Sequence, residues 1–156
     1  MAAVDLHELR VYQLAMRVGE DVWSLTVGWE WLAKQTVGLQ WIRSADSIAA
    51  NISEGFGRYS FKENARFCYY ARGSLRETQT WLEKAVSRGL VSEDFTDELS
   101  MKLETLRRQL DNYIHSLGRK LSDTLRETSP DDAVELPSFE EFLASHDPTL
   151  DEFLTS

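Results

Sequence analysis

One cysteine, three prolines and eight glycines are all that the 156 residues contain of the residue types that staple, break or loosen a chain. A lone thiol, Cys68, excludes an intrachain disulfide, and nothing else argues for an oxidising compartment. So little proline and glycine permits long helices, and Leu, Ala, Glu and Arg dominate, which is an all-α composition. No apolar run approaches the roughly 18–20 residues of a membrane span. The opening "MAAVDLHELR" lacks a charged-then-apolar leader pattern. The expectation is a soluble, cytoplasmic protein with no membrane contact. Catalytic sets are missing as well. The histidines are His7, His115 and His146, and none follows a glutamate at the Glu-x-x-His spacing of a di-iron bundle. Asp111 and His115 stand one helical turn apart, yet two ligands do not make a metal site. No Ser-His-acid set or dinucleotide fingerprint occurs. The reading is therefore no metal, no cofactor and no enzyme.

What is present begins with charge. The formal balance of −9 is very unevenly placed. Residues 1–121 hold 16 acidic and 16 basic side chains, whereas residues 122–156 hold 10 acids against Arg126 alone. The body is neutral and the tail carries the net charge.

Four amphipathic segments follow from 3.6-residue periodicity. The first, about Asp5 to Val27, places Leu6, Leu9, Val11, Leu14, Val18, Val22 and Leu25 on one face. A turn falls near Gly28. The second, about Lys34 to Glu54, packs Ser44, Ala45, Ser47, Ala49, Ala50 and Ser53 together, so a neighbouring helix can approach it closely. Asp46, Asn51 and Glu54 interrupt it and need partners if buried; Arg43 and Arg58 are the nearest cations. The third, about Phe61 to Ser87, aligns Cys68, Ala71, Leu75, Thr78, Leu82 and Ala85. There Cys68 reads as a small buried hydrophobe. The fourth, about Asp94 to Leu121, repeats Leu99, Leu103, Leu106, Leu110, Tyr113 and Leu117 at spacings of four and three, a coiled-coil-like seam. Gly89 and Ser92 mark the preceding turn. Short connections between long helices favour antiparallel neighbours, hence an antiparallel up-down four-helix bundle over residues 1–121. Trp29, Trp31 and Trp41 gather at the first turn, as core or as interface.

Residues 122–156 read as an acidic linker and a partly disordered tail. The tail contains a repeat: "SFEEFLAS" (Ser138–Ser145) and "TLDEFLTS" (Thr149–Ser156) match position by position. It is either a solubilising tail or a duplicated docking motif, with Phe139, Phe142, Leu143, Phe153 and Leu154 as the gripping residues, for a groove on this protein or another.

The corner "NISEGFGRYSFKE", Asn51 to Glu63, admits two readings. Ser60 to Glu63 fits a capping box, and Gly55 or Gly57 suits a left-handed helix end, so the stretch is first an architectural corner. A phosphate loop needs a strand before the glycines or a lysine after them. Arg58 has no duty in that account. Beyond it, Lys62, Arg66, Gly73 and Arg76 share the face opposite the core, with Tyr69 among them and Arg72 nearby. A basic stripe with an interleaved aromatic suits a phosphate backbone; its bland counterpart is a solvated face.

The same residues carry a family resemblance. "LQWIRSADSIAANISEGFGRYSFKENARFCYYARGSLRETQTWLEKA", Leu39 to Ala85, resembles the bacterial four-helix-bundle proteins first noticed as reading frames within intervening sequences of 23S ribosomal RNA genes. The matching positions include Arg43, Ser47, Asn51, Glu54, Gly55, Gly57, Arg58, Ser60, Glu63, Phe67, Gly73, Ser74 and Glu77, and the similarity spans about residues 6–121. That family includes accessory proteins of the reverse transcriptases of diversity-generating retroelements. The resemblance implies a bundle that assembles into a homopentamer ring, no catalytic activity, and binding of RNA, DNA or a reverse transcriptase through basic surfaces. Arg58, Lys62, Arg66, Arg72 and Arg76 would make that contact. Two departures point the other way: the neutral body and the acidic tail, which is foreign to the family pattern. Such a tail can compete for a basic groove or serve a protein partner alone.

Overall fold

The structure, a computed structural model, describes residues 5–128. A capping box between Asp5 and Glu8 closes a single 3-10 turn, Leu6–Glu8, and extended Leu9 (φ −70°, ψ 115°) redirects the chain. Helix α1 therefore runs Arg10–Thr26 rather than starting at Asp5, because the local box closes its own turn. After the turn at Gly28, one α-helical turn (Trp31–Ala33) and a π-helical segment (Lys34–Gly38) lead without a break into α2, Leu39–Phe56. Helix α3 spans Phe61–Ser87, its N-terminus capped by Ser60 Oγ accepting from the Glu63 amide at 3.2 Å. It ends in a Schellman turn: Leu90 N–H donates to Ala85 O, Gly89 N–H donates to Val86 O, and Gly89 adopts φ 67°. Ser92 Oγ then accepts from the Phe95 amide and starts α4, Glu93–Thr128.

Two expectations change here. Gly55 or Gly57 is expected to supply a left-handed residue, yet Gly57 is right-handed (φ −74°, ψ −5°) and Gly89 is the one positive-φ residue among those described. Helix α4 also continues seven residues beyond Leu121, because no proline or glycine interrupts it before Pro130. The Phe-Leu repeats lie outside the described residues.

Each helix packs against its sequence neighbours, and α1 closes the square against α4. This is an all-α, antiparallel up-down bundle. Its core is built from Val18 and Val22 of α1, Trp41, Ile48 and Ile52 of α2, Cys68, Ala71 and Leu75 of α3, and a leucine row on α4. Each fully buried Leu or Ile contributes about 1.5–3 kcal/mol. Lys102 of α4 bridges Asp21 of α1 at 2.7 Å and Glu98 at 2.8 Å, fixing the α1–α4 register.

The α2–α3 seam is the most extensive. Small residues let the helices close, and the buried Ser44 and Thr78 hydroxyls, 3.1 Å apart, satisfy each other across it. Ser47 and Ser74 do the same at 3.0 Å. At the corner Gly55 is buried, and a β-carbon there would lie 2.8 Å from Phe67 Cβ and 2.9 Å from Asn64 O. Gly55→Ala is expected to cost about 1–3 kcal/mol through overpacking. Gly73→Ala meets no atom within 4 Å, so it is expected to gain about 0.5–1 kcal/mol from helix propensity. Urea unfolding of both variants checks the pair; equal effects would refute the close approach.

Candidate functional site

The outer face of α3 holds the basic residues singled out by the corner and its sequel. Lys62, Arg66 and Arg76 are exposed there. Gly73 lies between them with open space above it. Arg66 Nε donates to Tyr70 Oη at 2.9 Å, and its guanidinium stands 5.8 Å from the Tyr70 ring centre. Arg76 forms no ion pair among the described residues. Over about 14 residues the face spans roughly 21 Å at 1.5 Å per residue.

The other two cations flank this face. Arg58 donates to Glu54 and lies 4.7 Å over the Phe67 ring. The corner thus holds the guanidinium by charge on one side and an aromatic face on the other. Arg72 turns towards α4, with its Nε 3.6 Å from Asp111 Oδ1, a carboxylate that Arg107 also binds at 2.9 Å. The interleaved aromatic is Tyr70. Tyr69 is half-buried against the core, because α3 is covered by two neighbours and its covered arc is wider than one stripe.

The inner face carries no accessible nucleophile. Cys68 is fully buried, 3.6 Å from Asn64 Oδ1, and burial pushes its thiol up to about 12. Asn64 donates onward to Tyr113 Oη at 3.1 Å, joining α3 to α4. His115 Nδ1 meets the Asp111 carbonyl at 2.7 Å, while the Asp111 carboxylate is engaged by arginine. Among the described residues no three His, Cys, Asp or Glu side chains group as a metal site.

A second surface went unread in the sequence. Tyr12, Met16, Gly19 and Glu20 of α1 face Asp46, Ala49, Ala50 and Ser53 of α2 across a groove of about 290 Å³. Small side chains floor it, and the Asp46 carboxylate lies over bare Gly19, 2.7 Å from where a β-carbon would stand. Partial burial and the neighbouring Glu20 raise the Asp46 carboxyl above the usual range. Of the three polar residues expected to need partners, Glu54 takes Arg58 and Asn51 donates to the Ser47 carbonyl at 2.9 Å. Asp46 receives no ion pair among the described residues. Met16 (45% exposed), Trp23 (52%) and Val27 continue an apolar stripe along α1, and Trp31 (73%) and Leu32 are exposed after the turn. The tryptophans of the first turn therefore divide. Trp41 is fully buried against Trp29 and Phe95, and Trp31 faces outward. The signal was legible: Met16, Trp23 and Val27 recur at i, i+7 and i+11, a second apolar stripe beside the core stripe.

Fold and surfaces together define a helical-bundle protein with two exposed faces, one basic and one apolar with an acidic pair. Residues 7–112 match the family model of the 23S rRNA-intervening sequence proteins, and the chain belongs to that family. Among solved structures it is similar to a protein of unknown function from the S23 ribosomal protein family of Bacteroides thetaiotaomicron. That likeness has a TM-score of 0.60 and 19% identity, covering 67% of this chain and 95% of that one. At that identity the likeness concerns the fold. No curated protein matches the chain. No helix among the described residues is long and apolar enough to cross a membrane.

The burial of Cys68 sets a test of the packed core. A thiol reagent at pH 8 is expected to leave the native protein unmodified and to label one site per chain in denaturant, measured by mass spectrometry. Rapid native labelling would place Cys68 outside the core.

Proposed function

We propose that this protein is a non-enzymatic bundle that assembles into a ring and binds nucleic acid, or an enzyme acting on it, through the basic face of α3. The observation that carries the reading is the row of exposed Lys62, Arg66 and Arg76 on one helix face, with Arg58 held at its near end and Arg72 along its flank. Phosphates are recognised by such cations with little sequence preference, and stacked aromatics such as Tyr70 accept bases. The resemblance to retroelement accessory proteins supplies a reverse transcriptase as the candidate enzyme.

Self-assembly falls to the α1–α2 face. Exposed Met16, Trp23 and Val27 beside a floor of glycine and alanine suit helix-on-helix packing between copies. Light scattering on the full chain is expected to give about five times the 17.9 kDa protomer mass. Met16→Asp with Trp23→Asp should reduce it to the protomer while helical circular dichroism is kept. A wild-type monomer would refute the ring.

Binding is tested by fluorescence anisotropy with labelled mixed-sequence RNA and DNA. Affinity should fall with salt, and Lys62→Glu, Arg66→Glu and Arg76→Glu together should flatten the log–log slope by up to about 2, at roughly 0.7 per phosphate on a single strand. A second reading is a protein-interaction scaffold whose Phe139, Phe142, Leu143, Phe153 and Leu154 grip a partner. The charge neutrality of residues 1–121 favours it. Salt-insensitive or absent nucleic-acid binding would select it.

A further inference from the structure

Helix α4 outruns the bundle. Lys120 Nζ sits 5.9 Å from the Phe61 ring centre, level with the first residue of α3. The helix then continues to Thr128, about 12 Å farther at 1.5 Å per residue. The chain therefore enters residues 129–156 at the end of the bundle where the basic face of α3 begins. Those 28 residues hold eight carboxylates and no lysine or arginine.

Of the two exposed faces, only one complements them. The α1–α2 groove presents Glu20 and Asp46 and repels an acidic segment. The α3 face presents Lys62, Arg66 and Arg76, with part-exposed Tyr70 at one edge and Phe61 at the opposite edge, towards α4. Reach agrees. Ser138 follows Thr128 by ten residues, an extended span of up to about 33 Å. Doubling back over the α4 overhang and running on to Arg76 takes roughly 12 plus 21 Å at 1.5 Å per helical residue.

We propose that the two acidic Phe-Leu repeats dock in cis on the basic face of α3. Glu140, Glu141, Asp151 and Glu152 oppose its lysine and arginines, and the phenylalanines lie against Phe61 and Tyr70. This deepens, and rests on, the reading of that face as the nucleic-acid surface: the tail is its built-in competitor. Tethering holds the competitor at an effective concentration on the order of millimolar, so a ligand must displace it.

The test uses the full chain. A nitroxide is placed on Ser145→Cys, Cys68 being buried and unreactive, and amide line broadening is followed by NMR. Broadening is expected at Lys62, Arg66 and Tyr70 and not at Met16 or Trp23. It should vanish when Glu140→Gln, Glu141→Gln, Asp151→Asn and Glu152→Gln are combined. That quadruple variant should bind the labelled oligonucleotides about tenfold more tightly than the parent, as expected on losing a tethered competitor. Broadening that is absent, spread equally over α1 and α3, or transferred from a spin-labelled to an isotope-labelled molecule would overturn docking in cis. Specific broadening with no oligonucleotide binding by either form supports docking and removes the nucleic-acid reading. Salt-steep binding without broadening does the reverse.

Discussion

The approach of α2 to α3 at Gly55 constrains most of what this molecule presents to solvent. With no side chain there, Phe67 and the Asn64 backbone come within the distance a methyl group would need. Asn64 is thereby placed between Cys68 and Tyr113, so the same contact carries into α4. Farther along, the serine and threonine pairs at 3.0 and 3.1 Å keep the helices close without leaving buried hydroxyls unpaired. Once α3 is seated this way its outward arc is settled, and with it the exposure of Lys62, Arg66 and Arg76. The corner is therefore architectural, and it also fixes where Arg58 sits. Gly55 packs, and Phe67, the residue it packs against, supplies the ring under Arg58.

Signals that act within a few residues were legible in the sequence. Ser60, Gly89 and Ser92 set their helix ends through caps that involve only neighbours, and α3 spans the expected Phe61–Ser87. The Asp5–Glu8 box is equally local and overrides the apolar periodicity that runs through it, so α1 begins at Arg10 and not at Asp5. The seam of α4 shows a different limit. Strict alternation of four and three predicted Tyr113, whereas Ile114 is buried and Tyr113 is half-buried. A straight helix turns every 3.6 residues, so a 3.5-residue pattern drifts by about 20° per heptad, and after two heptads the next residue faces inward.

The candidate surfaces were half legible for a related reason. Basic residues at helical spacing announce a face, but not which of them the neighbouring helices claim. Arg72 and Tyr69 share the α3 sequence pattern with Arg66, and the covered arc of α3 takes both towards its neighbours. Glycine in the corner signalled a turn by its usual association, while its effect here comes from the close packing of Phe67, a residue twelve positions on. The α1–α2 groove needed two helices to exist at all, since Gly19 and Asp46 meet only in the fold.

Net charge is a poor guide to what such a molecule binds. Fields in physiological salt decay over about 8 Å, so a phosphate at Arg76 responds to the cations of α3 rather than to the balance of −9. The anions that create that balance are concentrated in residues 122–156, the C-terminal end of α4 and the residues that follow it. If the tail docks as proposed, it and a free nucleic acid would compete for the same cations through the same screened force. Salt would then weaken both contacts. Part of the affinity lost by the nucleic acid would be returned as its competitor loosens. A full chain that competes with itself should therefore show a shallower salt dependence than its cation count implies, and that flattening would separate competition at the site from simple long-range repulsion.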